Sequence, residues 1–263
     1  MAALPAATSA PAPGLARLPP VSAGPGCRVV TVSGSATRDG QPLRAGDELA
    51  GATLELAAGA RAHFVHAVSA RAWSLEGPAR LRACEGSAEE IVLARGTLRA
   101  EPGSGVRPGA EVWVGTPYGA LRYADAAATL SVGERQLAVR VTSGRLGFIP
   151  FGGSAPDERP VPAAATFAAS PYRLSGARAL VRCSQDAAAA EAQARVVLGP
   201  SPRPLGERAA EHVRARQRAR ASCVSARAAA LSTPGSDPSV GAELARYDAL
   251  WRGVPGALDP RRP

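Results

Sequence analysis

The chain has 263 residues, 46% of them hydrophobic and 20% charged, which is enough apolar material for one large domain or two small ones. All 31 basic residues are arginine against 22 acids, a formal net charge of +9, and the excess lies late: from Pro171 onward there are 15 arginines and 8 acids. No apolar run reaches the roughly 20 residues of a membrane-spanning helix, and with only 4% aromatics no stacking platform accompanies the arginines, so nucleic acid is a disfavoured partner.

Residues 1–27 are rich in Ala and Pro with nothing to bury. They are expected to be a disordered tail, or the remnant of an export segment whose start lies upstream, because no charged start precedes a long apolar block. From residue 28 to 150 the text turns to short alternating runs punctuated by glycine, the pattern of an all-β sandwich or roll of about a dozen short strands. The clearest is Leu137–Thr142, with Leu137, Val139 and Val141 on one face and Arg140 and Thr142 on the other. The other expected strands are Val29–Val32, Ala52–Leu56, Arg61–Val65, Ala72–Leu75, Ala79–Cys84, Ile91–Leu93, Thr97–Ala100, Glu111–Val114, Ala120–Tyr123, Thr129–Val132 and Leu146–Ile149. Asp39-Gly40 and Ala45-Gly46-Asp47 read as turns. In Val114-Gly-Thr-Pro-Tyr-Gly119, Pro117 fits a turn and Gly115 and Gly119 relieve backbone strain around it.

Residues 151–172 carry Pro, Gly and Ala without periodicity and are expected to be a linker and a domain boundary. Over 173–252 the period changes. Leu180, Cys183, Ala187, Ala190, Ala194 and Val197 recur at helical spacing, and a proline-rich loop from Gly199 to Gly206 separates them from a second helix at about Glu207–Leu231. The fold class is therefore mainly β with an α appendage, an α-helical hairpin. A short helix is expected at Val240–Trp251, and 253–263 as a loose tail. The arginine run Arg214–Arg220 is expected to be a solvated helix face.

The four cysteines are too far apart for a zinc pattern. Cys183 and Cys223 bracket the proline loop about residue 203, so an antiparallel hairpin holds them at one height, where a disulfide or two buried free thiols would fit. The disulfide would contribute on the order of 3 to 4 kcal/mol in the chain-entropy model and imply an oxidising compartment. Cys27 and Cys84 would be a second pair. Cys27 could instead carry a lipid or stay free.

The catalytic inventory is thin. His63 and His66, three apart on a strand, point to opposite faces, which does not suit joint metal ligation; His212 sits on the arginine-rich helix as a surface or packing residue. Glu85, Glu89 and Glu90 make an acidic loop too short and irregular for calcium. No nucleophile elbow, phosphate loop or dinucleotide signature stands in its strand-to-helix context. The chain is expected to be no enzyme, with no catalytic residue, metal or cofactor.

A series of motifs in the β half is more specific in its order than in any single member. Val32-Ser-Gly-Ser-Ala-Thr-Arg-Asp-Gly40, Leu43-Arg-Ala-Gly-Asp-Glu-Leu49, Ala52-Thr-Leu54 and Gly59-Ala-Arg-Ala62 come first. Ser74-Leu-Glu-Gly-Pro-Ala79, Leu93-Ala-Arg-Gly-Thr-Leu98, Val114-Gly-Thr-Pro-Tyr-Gly119 and Val139-Arg-Val-Thr-Ser-Gly-Arg-Leu146 follow. Together they resemble the FecR domain, a periplasmic β-rich module of bacterial signalling and envelope proteins. The chain departs from that family at Ala124–Leu130, where a second Gly-Thr-x-aromatic segment is usual, and in lacking the membrane helix and anti-sigma helices of the regulator that names it.

The resemblance implies a periplasmic or envelope-associated protein, assuming an export signal upstream of the start; a lipid on Cys27 would anchor it. Its expected role is a non-catalytic module that binds a protein or glycan partner and scaffolds it. The alternatives are a regulatory sensor of a sigma-factor or uptake system and, less favoured, an enzyme on a β-sandwich scaffold.

Overall fold

The computed structural model describes residues 26–67, 69–84, 90–102, 111–150, 158–168 and 176–232. The expected Val240–Trp251 helix, the two terminal tails, apart from Gly26 and Cys27, and the Glu85 and Glu89 part of the acidic loop lie outside them. Among the described residues twelve strands are formed: β1 Cys27–Ser33, β2 Ala36–Arg38, β3 Gln41–Pro42, β4 Thr53–Leu56, β5 Arg61–His66, β6 Ala72–Ala83, β7 Glu90–Glu101, β8 Val112–Thr116, β9 Gly119–Val132, β10 Gln136–Pro150, β11 Arg159–Pro160 and β12 Ala164–Ala168. Two helices follow among these residues, α1 Gly176–Leu198 and α2 Leu205–Ser232. The chain is mainly β with a C-terminal helical pair.

The expected strands fuse in pairs. Ala72–Leu75 and Ala79–Cys84, less Cys84 itself, are one strand, β6, and the same holds for the expected pairs within β7, β9 and β10. The expected breaks fall at a glycine or proline in β6, β7 and β10 and at Ala124–Ala128 in β9, but pairing continues through bulges, between Glu76 and Leu81 on β6 and between Val141 and Leu146 on β10. These long strands change partners along their length. β6 pairs β5 through Arg61–Val65 and β4 through Thr53–Leu56. β7 pairs β8 in parallel at Glu90–Val92, then β9 in antiparallel fashion at Gly96–Ala100. The sheet thereby rolls around one core of Leu49, Leu54, Phe64, Leu75, Leu81, Leu98, Leu121 and Leu130, all inaccessible or nearly so. Phe64 stacks on Trp73 at 5.6 Å, and Trp73 Nε1 donates to the Tyr123 hydroxyl at 2.9 Å, so the one polar atom of that indole is satisfied.

Asp39 and Gly40 both take positive φ, 49° and 79°, as a two-residue hairpin turn requires, and join β2 to β3. Asp39 Oδ1 also accepts the Thr53 N–H, tying the turn to β4. Within the stretch expected as linker, residues 159–160 and 164–168 add β11 and β12 along β10. Edge pairing needs only backbone groups, so no side-chain period announced it.

Candidate functional site

The helices meet the sheet at β8. Alternation sends Val112 and Val114 into the main core, while Trp113 and Gly115 face the other way, toward α2. There Val92, Trp113 and Ala120 pack with Ala221, Val224 and Ala228 of α2 in a second apolar cluster. Gly115 has a reason that a turn does not supply. A Cβ on it would stand 2.6 Å from the carbonyl carbon and Cγ2 of Val224, so the helix backbone rests directly on the strand. The expected strain relief at Gly115 is thus replaced by close approach. Thr116 closes the adjacent turn, its hydroxyl donating to the Gly119 carbonyl at 2.7 Å and accepting the Tyr118 N–H at 3.2 Å.

Charges rim this junction. Glu90, at the start of β7, has Arg227 Nη1 at 3.6 Å and Arg220 Nε at 3.9 Å. The Arg220 guanidinium lies 5.1 Å from the centroid of the Trp113 ring, and that of Arg122 lies 6.0 Å from it. Arg122 in turn binds Glu111 at 2.5 Å and pairs with Glu158. Burial lowers the pKa of Arg220 from its ordinary value; Glu90 and then Glu111 oppose the shift, and Arg227 adds to it. A guanidinium still keeps its proton, so the cluster is a set of fixed charges at a helix–sheet seam.

Within Arg214–Arg220, expected as a solvated helix face, Arg214 is exposed and Arg216 and Arg218 are half-buried, and the correction falls on Arg220, which is covered by the sheet; outside that run Arg208 and Arg227 are buried, because α2 has neighbours on two sides. Arg208 donates from Nη1 to the carbonyls of Val196, Val197 and Gly199 at 2.9 to 3.0 Å, and from Nε to that of Arg203 at 3.1 Å. It thereby satisfies the carbonyls that the end of α1 would leave open.

The two halves of α2 serve different neighbours. Arg208, His212, Ala215 and Ala219 are buried in the first half, where Ala215 and Ala219 pack on Ala190 of α1. Ala221, Val224 and Ala228 in the second half pack on the sheet. Near the changeover, Cys183 and Cys223 form a disulfide with Cα atoms 4.6 Å apart, and Cys27 and Cys84 form another at 5.7 Å. Two disulfides imply an oxidising, extracytoplasmic location, and among the described residues no helix is long and apolar enough to cross a membrane.

His212 is 7% exposed, and neither ring nitrogen meets a partner at hydrogen-bond geometry. Burial lowers its pKa from 6.5, the charge of Arg216 lowers it further, and the Ala190 carbonyl acts the other way. His63 and His66 stay apart: Nδ1 of His63 shares a hydrogen bond with the Ser74 hydroxyl at 3.0 Å, and Nδ1 of His66 with that of Ser69 at 3.1 Å. Among the described residues no three of His, Cys, Asp and Glu form a set that could hold a metal.

A groove of about 920 Å³ opens beside the end of α2. The β6 bulge, the middle of β7, the β9–β10 turn and Ser232 line it. Its floor includes the hydroxyls of Thr97 and Ser131, 3.1 Å apart, and its rim carries Arg95, Glu134 and Arg135. This chemistry suits a polar ligand or an extended segment of a partner. Neither Gly115 as a helix seat nor Glu90 as the centre of a charge cluster was identified from sequence. The groove has no local signal, because residues 76–78, 94–97 and 131–138 meet only through pairing.

No protein-family model matches this chain, and no curated protein matches it. Among solved structures it is similar to a "putative anti-sigma factor" from Parabacteroides distasonis, at 10% sequence identity and a TM-score of 0.36, over 49% of this chain and 64% of that one. The chain thus spans less than two thirds of that protein's length.

Proposed function

We propose that the chain is a non-catalytic, FecR-domain-like module of the bacterial cell envelope, acting in the periplasm as a ligand- or protein-binding scaffold. The observation that supports this reading is the division of α2, half of it seated on β8 and half of it carrying α1. Such a build holds a helical hairpin in a fixed pose beside a preformed groove of mixed polarity, which suits recognition. The groove takes a protein or glycan partner, and the hairpin is the second interaction surface.

The test compares the native chain with a Thr97→Trp variant that fills the groove, each immobilised and exposed to solubilised envelope from the native host. A defined protein or glycan retained by the native chain and lost with the variant is the expected result. Equal retention by both removes the groove from the reading. Thiol counting on protein purified from that host should find free thiols only after reduction; four reactive thiols beforehand would place the chain in a reducing compartment. Turnover of ester or glycoside substrates by the native chain would overturn the non-catalytic assignment.

A further inference from the structure

Of the six exposed large apolar side chains among the described residues, five lie on the hairpin: Val181, Val196, Leu198, Leu205 and Val213. The two most exposed, Leu198 at 85% and Leu205 at 61%, are the last residue of α1 and the first of α2. Arg208 brings these ends together, since one guanidinium on the first turn of α2 binds three carbonyls at the end of α1. Isolated exposed leucines are ordinary, but Leu198 and Leu205, with Val196 beside them, stand together at the turn, and such a grouping on the end of an element suits docking.

Charge identifies the occupant. Residues 176–232 hold ten arginines against four acids, so a chain segment of 57 residues carries most of the net charge of +9. At the tip itself Arg195 pairs with Glu191 and Arg203 with Glu211, while Glu207 sits in the first turn of α2 where the helix dipole favours it. The excess follows along α2 in Arg214 and Arg218. Arg214 stands nine residues from Leu205, about 13 Å along the helix axis.

A turn that presents two exposed leucines among balanced charges, backed by a basic shaft, matches a lipid surface, with the leucines at the acyl boundary and the arginines against anionic headgroups. The tip also suits desolvation, because Arg208 already satisfies the helix-end carbonyls that lipid would leave unpaired.

We infer that the turn end of the α1–α2 hairpin docks on an anionic lipid surface, with Leu198 and Leu205 entering the leaflet and the arginines of α2 meeting the headgroups. The inference deepens the scaffold reading, on which it rests, by naming what one of its two surfaces meets. The test is co-sedimentation of the full, oxidised chain with vesicles of phosphatidylcholine alone and of phosphatidylcholine with phosphatidylglycerol. Binding is expected to the anionic vesicles only and to weaken as salt rises.

The variant carrying Leu198→Ser with Leu205→Ser should lose about tenfold or more in affinity. Because both positions are exposed, circular dichroism should show it folded. Arg214→Gln with Arg218→Gln should flatten the salt dependence. No binding to anionic vesicles, equal binding to neutral ones, or unchanged binding by the serine variant would each overturn the lipid assignment. The Thr97→Trp comparison reads the groove independently, so failure at the vesicle leaves the scaffold reading standing and failure at the groove leaves the tip standing. A protein crosslinked at Leu198 without vesicle binding would reassign the tip to a protein partner.

Discussion

Replacing Gly115 with alanine places one methyl group where the helix backbone already is. The added Cβ would lie 2.6 Å from both the carbonyl carbon and Cγ2 of Val224, well inside the closest approach of real carbon atoms. A side-chain rotamer change can relieve only the second contact. The first demands that α2 lift away from β8, loosening Val92, Trp113, Ala120, Ala221, Val224 and Ala228 together. Overpacking costs about 1 to 3 kcal/mol, and with backbone as the obstacle the upper end, about 3 kcal/mol, is expected. The main core contains none of these six residues, so the β unit stays folded while the seam opens. Denaturant titration followed by tryptophan emission reads both effects, because Trp113 is 1% exposed at the seam whereas Trp73 is sealed in the core. Gly133→Ala is the control: its Cβ would meet only the Gln136 carbonyl at 3.6 Å, an ordinary contact, and the change should stay within about 0.5 kcal/mol. A Gly115→Ala protein with native stability and unshifted emission would refute the seating of α2 on this strand.

Three further outcomes are expected. Glu90→Gln leaves Arg220 and Arg227 without their shared carboxylate at a largely buried seam and should cost about 2 to 4 kcal/mol in denaturant unfolding; the Glu90→Gln/Arg227→Met pair should recover part of it. His212 has its folded-state pKa below the unfolded 6.5, so its contribution is present above that pH and lost as pH falls through the folded value. Thermal unfolding should therefore show the hairpin weakening in mild acid, a slope that His212→Leu removes. Cys183→Ser with Cys223→Ser opens a 40-residue separation and should lower stability by roughly 3 to 4 kcal/mol, with the loss appearing in helical ellipticity before β signal.

Some of this architecture was written locally and some was not. Asp39-Gly40 announced its turn because two successive positive φ angles leave few residue choices. The symmetry of Cys183 and Cys223 about the proline loop was legible because helix rise is constant, so equal chain lengths reach equal heights. The long strands were not legible, since Gly77, Gly96 and Gly144 look like ends when read alone and are places where a bulged or bent strand passes close to a neighbour. Gly115 was readable as a glycine but not as a seat, because the carbonyl it accommodates belongs to Val224, more than a hundred residues later. Arg220 misled, and the burial of Arg208 and Arg227 went unread, for a related reason. α2 buries alanines rather than leucines, so its sequence shows hardly any apolar stripe, and the burial of Arg208 and Arg227 follows from having a helix on one flank and a sheet on the other.

A rod gripped along half its length is a lever. The free half of α2, some fifteen residues or about 22 Å, converts an angular change at the β8 seat into travel at the far end: a tilt of about ten degrees displaces the turn by about 4 Å. The Cys183–Cys223 bond, close to the fulcrum, makes α1 move with it rather than slide past. Whatever pulls on the hairpin therefore applies torque to Val224 and to the glycine beneath it.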